Sequence, residues 1–167
     1  MPDSVREQIV AAFATAIDRL NLGGNPPQVL QKVLRDWNAP EQEGEYPYAV
    51  VLDPSEVKQA GGSGGAPLSY YLNHLEVQVW VMVDAGEVRD EAMGKTMVRA
   101  LAEIEKAILL ASVPGTGAIK AISGVNWVHA TGNQIVAFGE SGNLAAVQTT
   151  WQVQYIHKAT DPFAGRS

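Results

Sequence analysis

Residues 69–84 read SYYLNHLEVQVWVMVD, and from Leu75 to Val83 every second residue is aliphatic: Leu75, Val77, Val79, Val81 and Val83. A period of two sends alternate side chains to opposite faces of a β-strand and does not fit the 3.6-residue turn of a helix. The stretch predicts one long strand with a core face, leaving His74, Glu76, Gln78, Trp80 and Met82 together on the reverse face. A strand of that length has to sit in a sheet, so the remaining sequence must supply its neighbours and the cover for its apolar face.

Two stretches carry helical spacing. Residues 3–20 place Val5, Ile9, Ala12, Phe13, Ala16, Ile17 and Leu20 three and four apart, with Arg6, Gln8, Thr15 and Arg19 on the other side. Asp3 or Ser4 can cap this helix, and Gly23-Gly24 before Pro26-Pro27 stops it. Residues 87–111 give the clearest helix, with Met93, Met97, Ala100, Leu101, Ile104, Ile108 and Ala111 on one stripe, and VPGTG at 113–117 ends it. A shorter second helix is predicted in QVLQKVLRDW, where Val29, Leu30, Val33, Leu34 and Trp37 form a stripe.

Strands are predicted at 46–53 (YPYAVVLD) and near 119–130, 134–139 and 144–157, with TGN at 131–133 and ESGN at 140–143 as hairpin-like turns. Between the first two strands, PSEVKQAGGSGGAP at 54–67 reads as a flexible Gly-rich loop, because glycine gives up the most backbone entropy on ordering. Residues 158–167 read as a short C-terminal tail. Segregated helices and hairpin-joined strands define an α+β fold: a mainly antiparallel sheet with two long helices packed on one face, formed as a single domain over residues 1–167. A chain of that length buries about two-thirds of its unfolded surface and needs no covalent staple.

Composition then removes function classes. Without cysteine there is no disulfide framework, thiolate zinc site or cysteine nucleophile. Twelve basic residues stand against 18 acidic ones, for a net charge of −6, and the basic residues are scattered; phosphate binding needs them clustered, so no sequence-specific nucleic-acid binding is expected. No apolar run is long enough to span a membrane, and the first residues, MPDSVREQIVAAF, lack the pattern of a signal peptide.

His74, His129 and His157 are far apart in sequence and fit no metal-ligand spacing, and no G-x-S-x-G elbow is present. GGSGG leads into a strand rather than a helix N-terminus, so it is no phosphate cradle. Catalytic, metal and cofactor residues are therefore expected to be none. What remains is surface. Glu76, Gln78, Trp80 and Met82 share a sheet face, and Gln152 and Gln154 alternate against Trp151, Val153 and Tyr155. Amides interleaved with an aromatic suit a wet protein–protein contact, and they equally fit a solvated sheet with one incidental Trp.

The order of elements carries a resemblance. P-x-V-L-x-x-x-L-R-D-W at 27–37, the YPYAVV strand, the Gly-rich insert, the long strand, the Ala-rich helix and the final V-Q-Y-I-H-K-A-T-D-P-F resemble tail terminator (tail completion) proteins of long-tailed bacteriophages. The most specific part is Tyr155, His157, Asp161 and Pro162. The resemblance implies a homo-oligomeric ring, usually a hexamer, in the virion at the head-proximal end of the tail, made in the host cytoplasm. Its partners would be the tail tube protein and the head–tail connector or neck protein, and it would carry no catalytic residues. It would cap the tube, end polymerisation and give the head a docking surface; a negative charge suits a channel through which DNA slides. The candidate interface is Glu76, Gln78, Trp80, Met82, Gln152, Gln154, Asp161 and Phe163. Alternatives are a neck or head-completion protein, a subunit of a contractile injection system, or a small enzyme in which the histidines converge with Glu76 or Asp84.

Overall fold

The computed structural model describes residues 3–23, 28–35, 47–61, 70–84, 91–138 and 144–165. Helix α1 spans Val5–Ile17, capped by Ser4, whose hydroxyl accepts from the Glu7 amide at 3.2 Å. It ends sooner than the glycine pair suggested, because Arg19 takes a left-handed φ of 55° just past the last turn. Two pairs of short strands follow: β1 (Asn21–Gly23) with β2 (Gln28–Val29), and β3 (Lys32–Leu34) beside the start of β4 (Tyr48–Gly61). Then come β5 (Tyr70–Asp84), helix α2 (Glu91–Ala111), β6 (Val125–Phe138), β7 (Leu144–Lys158) and β8 (Asp161–Gly165).

The main sheet has the order β3-β4-β5-β7-β6, with β8 pairing beyond β6 on the end of β7. Every pairing in it is antiparallel except β3 with β4. The alternation read in β5 is realised as expected: Leu75, Val77, Val79 and Val81 are all fully buried. They join a core cluster with Phe13 and Ile17 of α1, Met97, Ile104 and Ile108 of α2, and Trp151 and Val153 of β7. Phe13 meets Trp151 edge-on at 6.1 Å, and the buried indole N–H donates to Thr149 Oγ1 at 3.0 Å. A smaller cluster on the reverse face joins Tyr48, Val50, Leu52, Met82 and Ala146, strand residues only.

Five expectations are corrected. The predicted second helix at 28–37 is β2 and β3: Lys32–Leu34 pair in parallel with Tyr48–Val50, and the Leu30 amide bonds Leu20 O at 3.0 Å. An isolated helix that short is marginal in water, so partners for the backbone from β4 and from Leu20 decide its state. The supposed loop begins too early, because β4 continues to Gly61 and pairs Ser55–Gly61 with Tyr70–Glu76; a bulge between Leu52 and Ser55 takes up Pro54. Residues 119–124 are not strand. They wind back under α2, where the Ile119 amide bonds Ala111 O at 2.9 Å, and a Cβ on Gly117 would lie 2.2 Å from that same carbonyl, so only glycine fits. TGN at 131–133 does not turn either: β6 runs through it with a register shift between Ala130 and Gly132.

The C-terminal tail is likewise ordered into β8, with the Phe163 amide bonded to Asp161 Oδ1 at 3.0 Å and Gly165 paired with His157. Residues 62–67 of the Gly-rich stretch, the ESGN turn, residues 87–90, Trp37 and the Gly24 and Pro26-Pro27 stop lie outside the described residues. Among those described, no helix is long and apolar enough to cross a membrane.

Candidate functional site

Two regions concentrate polar side chains. The first is the reverse face of the sheet. Register places rows of four residues across β4, β5, β7 and β6: Val50–Trp80–Gln148–Gln134, Leu52–Gln78–Thr150–Gly132, Ser55–Glu76–Gln152–His129 and Val57–His74–Gln154–Trp127. One end of the face is apolar around Met82, the middle is amide-rich, and the far end is aromatic and imidazole. The rows are tied by side-chain hydrogen bonds. Gln78 Nε2 donates to Glu76 Oε1 at 2.7 Å, the Trp80 indole donates to Gln78 Oε1 at 3.2 Å, and Asn126 Nδ2 donates to Gln154 Oε1 at 2.9 Å. The Gln134 amide donates to Gln148 Oε1. His129 stacks on Trp127 at 4.5 Å, and His74 approaches the same indole at 5.8 Å.

This network ties the side chains to one another while leaving the face partly open to solvent. A surface whose side chains are already ordered loses less entropy on contact with a partner. Glu76, Gln78, Trp80, Gln152 and Gln154 are each half-buried on it. Met82 is not available there, since at 5% exposure it packs against Tyr48, Val50 and Ala146 of its own chain. Asp161 and Phe163 stand apart on β8, beside the end of β7, with Phe163 exposed.

The second region lies where α1, β4 and β7 meet. Arg6 Nε contacts Asp53 Oδ2 at 2.5 Å, and another of its nitrogens donates to the Asp53 carbonyl at 3.0 Å. Glu56, whose side chain is 7% exposed, receives Lys58 at 3.4 Å and Arg6 at 3.9 Å, and the Tyr155 hydroxyl donates to its Oε1. Burial first, and then the bond to Glu56, push the Tyr155 hydroxyl well above its ordinary value of 10.0. Burial pulls Arg6 down, but the bond to Asp53 and the charges of Asp53 and Glu56 outweigh it and hold the guanidinium above its ordinary value. The phenol therefore stays protonated and serves as a donor, and the group joins one helix to two strands. Ser4, Arg6, Glu56, Lys58, Tyr155 and Pro162 line a small cleft over it.

Sequence reasoning missed this cluster because Asp53 and Glu56 fell in or next to the supposed loop. The available signal was Tyr155 itself, a phenol at a core-facing position that needs a partner for its hydroxyl. The three histidines are not brought together: His74 and His129 flank Trp127, whereas His157 lies on the other face against Tyr71 at 5.6 Å. Among the described residues, no group of three His, Asp or Glu side chains could hold a metal ion.

The chain matches no known protein-family model and no curated protein. Among solved structures it is similar to a chain in the virion of a native gene transfer agent particle, with 13% identity and a TM-score of 0.48 over 92% of each chain.

Proposed function

We propose that the chain is a structural virion protein that caps a phage tail tube, acting through its surfaces rather than through catalysis. In this reading identical subunits close into a ring, usually of six, that ends tube polymerisation and gives the head or its neck protein a docking surface. The resemblance of the final strand, with Tyr155, His157, Asp161 and Pro162, supports it. So does the arrangement of the core, in which α1 and α2 cover the Val77 side of the sheet and leave the other side to strand residues.

The observation that carries the proposal is the amide-rich face itself. Glu76, Gln78 and Gln154 are half-buried and pre-bonded to their neighbours, the rows they belong to cross four strands, and no described helix contributes to the cluster on that side. Polar, water-bridged contact on such a face suits a subunit that must meet both copies of itself and a different ring below. Electron microscopy of tails assembled with and without the protein tests this. Tubes of uniform length with it and overlong, uncapped tubes without it are expected. Uniform tubes in its absence, or binding to portal rings and not to tube ends, overturn the tail-capping role.

A further inference from the structure

One edge of the main sheet, β6, differs from the edges that monomeric sheet proteins present, whereas the other, β4, carries Pro54 and Lys58. At one edge β6 runs from Val125 to Phe138 as VNWVHATGNQIVAF, without a charged residue or a proline, and no described strand pairs with its outer side. His129 to Ile135 are exposed without a break. Lys120 closes only the beginning, its ammonium held 2.6 Å from the carbonyls of both Val125 and Asn126. At the opposite edge β3 covers β4 only at Tyr48–Val50, and past the bulge at Pro54 the stretch Ser55–Gly61 has β5 on one side and no described strand on the other. Val57, on this second edge, is 58% exposed. A long uncharged edge strand is a template for a further strand, and natural sheets that stay monomeric block it with lysine, proline or a cover.

We infer that β6 of one subunit accepts the Ser55–Gly61 edge of β4 from a second copy of this chain, making the sheet continuous between subunits. Strand direction fits. The main-sheet neighbours β4, β5, β7 and β6 alternate, so β4 and β6 run oppositely, and a copy laid alongside in the same sense presents β4 antiparallel to β6. The two edges are different surfaces, so the contact is heterologous and repeats from copy to copy, closing into a ring if the rotation allows. Closure into a ring rests on the proposed function; the strand pairing does not. β3 covers the start of β4 and Lys120 the start of β6, so the two free stretches meet only with a stagger along the strands, in which Ser55 of one copy faces Gln134 of the next and both stay on the reverse face.

The chain has no cysteine, so placed thiols report this contact directly. Ser55→Cys and Gln134→Cys are made separately and together, and concentrated samples are treated with bis-maleimides of graded length. The expected result is linked dimers from a mixture of the two single variants, little linkage in either alone, and a ladder of higher species from the double variant. Linkage of Gln134→Cys with itself overturns the inference by showing a two-fold β6–β6 contact. Absence of any mixed linkage also overturns it, and leaves tail capping standing if tubes are still capped. As a second arm, Asn133→Pro and Gln134→Pro fall on neighbouring residues, so one removes a ladder donor to β7 and the other an outward amide. The variant of that pair that stays folded is expected to self-associate about tenfold more weakly or worse; unchanged association overturns the pairing.

Discussion

The Tyr155 hydroxyl donates to Glu56 Oε1 across a separation of 99 residues, joining the inner strand β7 to β4 over the intervening β5. Glu56 is at once held by Lys58 and faced by Arg6, so the phenol supplies the neutral part of a largely buried charge network. Tyr155→Phe takes away that donor and leaves a carboxylate oxygen short of one partner. A loss of about 1–3 kcal/mol in stability is expected by denaturant unfolding, and an unchanged midpoint would show the bond to be incidental.

The same pair sets an alkaline limit. Folding favours the protonated phenol, so above the ordinary value of 10.0 the folded state holds a proton that the unfolded chain has released. Stability contributed by Tyr155 is thus complete below that pH and declines as pH rises, with a slope of about 1.4 kcal/mol per pH unit from this one group. Unfolding measured across that range in the parent and in Tyr155→Phe is expected to show a flatter decline in the variant.

Asn73 offers the opposite case. It is fully buried between Lys58 and Tyr155 in the register, its Nδ2 reaches Tyr71 O at 3.3 Å, and its Oδ1 has no hydrogen-bond partner among the described residues. Replacing an unsatisfied buried amide by an apolar group of similar volume is expected to be neutral or to stabilise by about 1 kcal/mol. A drop of several kcal/mol in Asn73→Leu would mean that the amide is satisfied in solution.

In the core, Trp151 combines full burial, the edge contact to Phe13 and the bond to Thr149. Thr149→Val keeps the shape but strands the indole N–H, at an expected cost of about 1–3 kcal/mol. Trp151→Ala is expected to cost about 3–5 kcal/mol, enough to unfold a marginally stable domain. Thermal melts of the two variants separate hydrogen-bond loss from cavity formation.

On the amide face, Gln152→Glu sets a second carboxylate directly opposite Glu76. The fold is expected to tolerate this within about 1 kcal/mol, since the side chains are half-exposed and cross-strand pairs are weak. Under the proposed role, tube capping is expected to fall, because like charges at a contact are costly. Capping at the parental level with a folded variant would remove this face from the interface.

Where one face of a strand was apolar the sequence was legible, and where backbone pairing decided the outcome it was not. The β5 alternation and the α2 stripe of Met97, Ala100, Ile104 and Ile108 were readable because burial imposes a period on the residues themselves. Val29 to Leu34 carry a helical stripe of the same quality, yet the start of β4 offers them a parallel partner whose position nothing local announces. Gly61 and Gly132 each read as a break and instead lie in strands, since a long neighbour can carry a poor residue in its ladder. Half of the amide face was foreseen from β5 and β7. The contribution of β6 was not, because TGN concealed that His129, Gly132 and Gln134 lie on one strand.

β7 lies between β5 and β6, carries Trp151 into the core and receives β8, yet it is synthesised after every strand it joins except β8. A polypeptide emerging from the ribosome can form the β4–β5 hairpin early, but that hairpin's inner edge, β5, waits for partners that lie 60 (Asp84 to Leu144) to 88 (Tyr70 to Lys158) residues further along the chain. Until residues 144–158 appear, both β5 and β6 offer open ladders to anything nearby. The middle of the sheet is therefore closed by nearly the last strand to be made, and the order of synthesis runs against the order of the strands in space.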